Sequence, residues 1–266
     1  MIELRVEGAV ATVVPRCGGR IGSLVVDGHE LLVGADDPDT AHPMTWGSFP
    51  MAPWVGRVRR GRFTFDGVEH RLETNLPPHA IHGTTFDRPW AVTSGPDGDD
   101  DDSVGPTRAA VRLAIDLGWE LGGRATQAIT LVPGELRCEL AVHAVDRALP
   151  AEVGWHPWFV RPDRVVFEPE AMYVRDDDGI VTGATVDPAT VDGPFDDCFV
   201  NVRPAVLTFG ELDLTITSDA DHWVLYDEPD HATCLEPQSG PPDAFNLTPR
   251  RLAPGTTLRR TMTWRW

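Results

Sequence analysis

Four short clusters in this 266-residue chain gather the side chains that bind ligands or move protons. The first runs Gly47-Ser48-Phe49-Pro50-Met51-Ala52-Pro53-Trp54-Val55-Gly56-Arg57, with Arg59, Arg60 and Arg62 just beyond it. The second is His79-Ala80-Ile81-His82-Gly83, and the third is Gly154-Trp155-His156-Pro157-Trp158-Phe159. The fourth is Cys234-Leu235-Glu236-Pro237-Gln238-Ser239-Gly240. Imidazoles and a carboxylate suit acid–base work near neutrality, since a free Glu titrates at about 4.3 and a free His at about 6.5. Each cluster also has a plain structural use. A histidine beside glycine or proline caps a turn, Glu236 and Arg57 fit a solvated surface, and tryptophan commonly fills a core. His79 and His82 have HxxH spacing, but outside a helix it carries no metal geometry, and no HExxH is present. No metal site is expected.

The totals exclude several chemistries. With 41 acidic residues against 23 basic, the net charge is −18. Such a surface does not displace counterions from phosphates, so nucleic acid is not an expected partner. The same field disfavours anionic membranes, and a neutral small molecule is the easier ligand. All 23 basic residues are arginine. Without lysine there is no Schiff base, no anchored pyridoxal phosphate and no Walker-type contact to a nucleotide. Cys17, Cys138, Cys198 and Cys234 form no CxxC pair, which removes zinc ribbons and redox motifs and fits free thiols in a cytoplasmic protein. The N-terminal residues show neither a signal peptide nor a bilayer-spanning run.

The elements that must position the clusters are strands. Leu136, Cys138, Leu140 and Val142 alternate with polar residues, and the Pro133-Gly134-Glu135 turn joins them to the preceding ATQAITLV segment as a hairpin. Leu212, Leu214 and Ile216 repeat the alternation, as do Leu258, Met262, Trp264 and Trp266 with Arg260 interrupting. No window keeps a 3.6-residue period, so the expected fold is all-β, a large antiparallel β-sandwich with little helix. The acidic run Asp97-Gly98-Asp99-Asp100-Asp101-Asp102 lacks EF-hand spacing and reads as a solvated hairpin tip.

Taken together and in this order, the four clusters resemble the aldose 1-epimerase (galactose mutarotase) family. The resemblance begins at Gly18-Gly19-Arg20-Ile21 and the Asp27-Gly28 turn, and ends at Leu252-Ala253-Pro254-Gly255-Thr256. It implies a single galactose mutarotase-like supersandwich domain over 1–266. The implied reaction interconverts the α and β anomers of a sugar by ring opening and reclosure, without a cofactor. His156 in the HPWF motif matches the family's general acid on the ring oxygen, and Glu236 its base on the anomeric hydroxyl. His82 matches the histidine of an LHG-type motif, with isoleucine replacing leucine. Arg57 matches a sugar-binding arginine, with Gly56 where the family usually has asparagine. The sugar-binding aspartate falls in Phe195-Asp196-Asp197-Cys198-Phe199. Asp196 is the preferred match and Asp197 a competitor, because neighbouring strand positions face opposite ways and only one should enter the pocket.

The chemistry suits these residues. Opening a pyranose takes a proton from the C1 hydroxyl and gives one to O5, so an acid and a base must act together and exchange roles on closing. A nearby carboxylate is expected to raise the imidazole and keep it charged. Trp54, Trp155 or Trp158 supplies a face for the sugar's C–H groups. The partner is then a small sugar, and the protein a monomer or homodimer. Three other readings use the same residues. A hexose-6-phosphate mutarotase would use Arg57, Arg59, Arg60 and Arg62 for phosphate. A carbohydrate-binding protein would use the pocket without turnover, and a glycoside hydrolase would need a second carboxylate where His156 stands.

Overall fold

The computed structural model describes residues 1–95 and 107–266, so the acidic run at 97–102 lies outside the described residues. Two large sheets carry the fold. The first has eleven strands, in the order Ile2–Val6, Ala9–Val14, Arg20–Val26, Ser48–Met51, Gly154–Val160, Ala232–Gln238, His222–Tyr226, Asp196–Val200, Ala171–Arg175 and Val181–Val186. His29–Glu30 attaches to Arg20–Val26 as the eleventh. The second has eight, in the order Ala91–Ser94, Ala109–Asp116, Arg124–Val132, Glu135–His143, Thr257–Arg265, Leu212–Ser218, Ala205–Phe209 and Arg164–Val166. All ladders within both sheets are antiparallel. The one α-helix among the described residues is the single turn Ala244–Leu247.

Alternation explains why the sheets stack. Leu136, Cys138, Leu140 and Val142 are all buried on one face of Glu135–His143, which pairs with Arg124–Val132 through the Pro133-Gly134 turn. From the first sheet Trp155, Phe159, Phe199, Trp223, Leu225 and Leu235 join the same core. Phe159 meets Trp264 of the second sheet with ring centroids 5.0 Å apart. Their strand neighbours point the other way, because successive side chains alternate across a sheet. Thus His156, Trp158, Val224, Tyr226, Cys234 and Glu236 share the face turned away from the core.

A short ribbon stands over that face. Arg57–Val58 pairs with Ala80–Ile81, and the 3₁₀ turn Arg59–Gly61 follows. The chain there departs from a continuous strand, so the four arginines of the first cluster do not form one row. Arg60 has φ near +50° and is exposed, Arg59 pairs with Asp176 and Asp178, and Arg62 faces Glu69. Only Arg57 enters the cleft described below.

Candidate active site

The register of six adjacent strands assembles the site. Phe49 pairs with His156. The next ladder pairs Gly154 with Gln238 and Trp158 with Cys234, which sets His156 opposite Glu236. Glu236 pairs with Val224 and Cys234 with Tyr226. Val224 then pairs with Cys198, and Tyr226 with Asp196. The outer ladder, Met172 with Phe199 and Ala171 with Val200, brings Tyr173 beside Cys198 and Arg175 beside Asp196. Two rows of side chains therefore cross the sheet. One runs Phe49, His156, Glu236, Val224, Cys198, Tyr173; the other runs Trp158, Cys234, Tyr226, Asp196, Arg175.

These rows floor a cleft of about 400 Å³, a size suited to a small polar ligand. Arg57, His82, His156, Trp158, Asp196 and Glu236, all named from sequence, line it together. His156 Nε2 lies 3.2 Å from Glu236 Oε1. The imidazole is held between two aromatic rings, Phe49 at 4.7 Å and Trp158 at 5.5 Å between centroids. His82 meets it edge-on at 5.0 Å. That histidine adopts φ near +61°, and its N–H donates to the Gly56 carbonyl, which ties it to the arginine ribbon.

Burial sets the protonation of the pair. Both groups are almost sealed from water, which favours the neutral form of each. His156 is lowered to about 3, first by burial and then by the Arg20 guanidinium. Glu236 is raised well above the ordinary carboxylate range by burial and by Asp196, with Arg57 opposing. This is the opposite of the expected charged imidazole: burial lowers His156, and the neighbouring Glu236 is itself raised toward its neutral form. His82 is also driven well below its usual value, by burial first, with the His156 ring, when protonated, and the Arg57 guanidinium acting in the same direction. Burial thus favours the uncharged form of both histidines and of the Glu236 carboxyl.

A chain of charges forms the far rim. Arg57 Nη2 is 3.4 Å from Asp196 Oδ2, and Arg175 Nη1 is 3.2 Å from the same oxygen. Arg175 Nε reaches Asp197 Oδ1 at 3.1 Å. Asp196 stands on the cleft face, as preferred. Asp197 follows the opposite pleat, yet its carboxylate turns back to accept from the Asp196 N–H and also lines the cleft. The expectation that only one aspartate enters is corrected, because Arg175 draws both toward it.

Several expectations fall elsewhere in the fold. Of the three candidate tryptophans only Trp158 lines the cleft. Trp155 is buried in the main core, and Trp54 belongs to that core and borders a separate cavity with Trp119. His79 Nδ1 accepts from the Arg60 N–H, a turn-capping role, and does not converge with His82 on a shared site. Among the described residues one group of potential metal ligands gathers, His156, Cys234 and Glu236, with ligand atoms within 4.8 Å of one another. Burial pushes the Cys234 thiol well above its usual value. Tyr173, Arg175, Tyr226 and Glu228 also line the cleft and were not foreseen. Their segments alternate as strands, but which strands they join is a matter of register that no local motif encodes.

A family model described as aldose 1-epimerase matches residues 1–265. The chain belongs to the aldose 1-epimerase family. No curated protein matches its sequence significantly. Among solved structures, a protein from Escherichia coli K12 superposes with TM-score 0.84 at 20% identity, covering 99% of this chain and 97% of that one. A galactose mutarotase-like protein from Clostridium acetobutylicum gives 0.84 at 17% identity over 98% and 93%. A galactose 1-epimerase from Lactobacillus acidophilus gives 0.83 at 18% identity over 99% and 92%. At these identities the likeness speaks for the epimerase fold.

Proposed function

We propose that this member of the aldose 1-epimerase family interconverts the α and β anomers of an unphosphorylated aldose, using His156 and Glu236 as its proton-transfer pair. The carrying observation is their 3.2 Å contact on the floor of a cleft that Arg57, His82, Trp158 and Asp196 also line. The pair holds one proton. Its movement from Glu236 Oε1 to His156 Nε2 makes a carboxylate base and an imidazolium acid in a single step. Glu236 then takes the proton of the C1 hydroxyl while His156 gives its proton to O5. The C1–O5 bond breaks as the C1 carbonyl forms. After rotation about C1–C2 the flow reverses, O5 attacks the other face, and the pair returns to its starting state. His82, neutral and edge-on to His156, donates to the ring oxygen or a neighbouring hydroxyl. Trp158 carries the apolar face of the ring, and Asp196 with Arg57 reads vicinal hydroxyls. This route asks nothing of a cofactor.

The state of the arginines disfavours a phosphorylated substrate. Arg57 and Arg175 share Asp196, and Arg59 is held by Asp176 and Asp178. A phosphate dianion would have to break these pairs beside Asp197 and Glu228, which also line the cleft. Polarimetry of freshly dissolved α-D-glucose and α-D-galactose tests the reading. Acceleration that His156→Ala and Glu236→Ala each abolish supports it. No acceleration of any free aldose, with acceleration of hexose 6-phosphates, would favour the phosphosugar enzyme. Sugar binding without acceleration would favour a non-catalytic binder.

A further inference from the structure

We propose that Arg175 is a second sugar-binding arginine, which also fixes the orientation of Asp196; this rests on the epimerase reading of the cleft. Its guanidinium is engaged through two of its three nitrogens. Nη1 donates to the Asp196 carbonyl at 2.8 Å and to its Oδ2 at 3.2 Å. Nε lies 3.1 Å from Asp197 Oδ1. Nη2 makes no hydrogen bond among the described residues, and Arg175 lines the cleft. A guanidinium is planar, so holding Nε and Nη1 fixes the direction of Nη2 as well. Two donors therefore remain preset for a ligand.

The same contacts restrict Asp196. Its Oδ2 receives Arg175 on one side and Arg57, at 3.4 Å, on the other. The carboxylate cannot turn without losing one of them, which leaves Oδ1 as the acceptor for a hydroxyl. Asp196 Oδ1 and Arg175 Nη2 then form an acceptor and a donor on neighbouring strands, suited to two hydroxyls on adjacent carbons. A simpler use of Arg175 is to neutralise Asp197, which burial pushes upward and Arg175 opposes. The geometry exceeds that need, because a single contact from Nε would meet it.

The experiment separates the two uses. Arg175→Met is expected to raise KM about tenfold or more with kcat within about threefold, since a contact made alike to bound sugar and transition state changes binding alone. Arg175→Lys is expected to recover only part of that loss, because one ammonium cannot hold both aspartates and still reach a hydroxyl. Adding Asp197→Asn to Arg175→Met removes the carboxylate left without its cation. The double variant is expected to regain thermal stability while KM stays high. Recovery of KM together with stability would reduce Arg175 to a counter-ion and overturn the assignment. Monodeoxy sugars give a second measure: at one ring position the penalty for losing the hydroxyl should vanish in Arg175→Met. Equal penalties at every position in both proteins would also overturn it. Calorimetric titration with glucose or galactose reads affinity without turnover. Weakened binding in Arg175→Met supports the assignment even if wild-type protein fails to accelerate anomerisation, a result that would count against the reaction instead. Unchanged Kd and KM would end it.

Discussion

His156 gains its properties from what surrounds it. The Phe49 and Trp158 rings on either side strip water from the imidazole, and its Nε2 lies 3.2 Å from the Glu236 carboxyl. Removing either member leaves a proton with no second site, so His156→Ala and Glu236→Ala should each lower kcat by about 10² or more, measured by polarimetry. Glu236→Gln keeps the shape and loses the titration, and should fall as far as the alanine variant. The pH profile carries a sharper signature. An isolated histidine acid would give a limb near 6.5. Here the pair gains a second proton only when His156 titrates, at about 3, and loses its only proton when the raised Glu236 ionises. The rate constant kcat/KM should therefore stay level through pH 6.5 and fall on the acid side only well below it. A limb centred at 6.5 would show that the imidazole is not held neutral.

The ribbon formed by Arg57–Val58 and Ala80–Ile81 delivers Arg57 and His82, and its entry depends on Gly56. That residue sits at φ +52°, and a Cβ there would lie 2.9 Å from Pro242 Cγ. The asparagine expected at this position from family resemblance has no room, because Pro242 fills the space. Gly56→Ala should destabilise the protein by about 1–2 kcal/mol through backbone strain alone, and more through the clash. It should raise KM as Arg57 shifts. Replacing Pro242 by alanine as well should recover the clash but not the strain, which thermal unfolding of the three variants resolves. At this scale the limits of sequence become clear. The hairpin of Arg124–Val132 and Glu135–His143 was legible, because a two-residue turn fixes its register locally. Arg57, His82, His156, Asp196 and Glu236 were legible through motif resemblance, and Trp158 only as one of three candidate tryptophans. Arg175 was not, since its place follows from the pairing of Ala171–Arg175 with Asp196–Val200, two strands whose pattern permits more than one partner. Nor was the neutral His156 legible, because desolvation by Phe49 and Trp158 exists only once distant strands meet.

The whole molecule carries these buried neutral groups as a debt to pH. His82 and His156 both lie below the free value of 6.5 for reasons of burial, His156 at about 3. As pH drops through 6.5 the unfolded chain takes up protons at these two positions and the folded chain does not. The unfolded state then binds more protons, so stability present above 6.5 is lost progressively toward 3. Each unit of separation is worth about 1.4 kcal/mol at most, before other groups respond. Glu236 acts with the opposite sign. Its folded value is raised, so its contribution is complete below the ordinary carboxylate value and is lost as pH rises through the folded value. The net charge of −18 adds repulsion in the same alkaline direction. Thermal unfolding followed from pH 3 to 9 should therefore show a Tm that declines on both sides. Substituting His156→Gln or His82→Gln should flatten the acid limb, most cleanly between 6.5 and about 5, above the range where carboxylates of ordinary affinity titrate. Glu236→Gln should instead flatten the decline on the alkaline side. Parallel acid limbs in wild type and both histidine variants would mean that neither ring is held uncharged by the fold, and the one-proton pair would lose its physical basis.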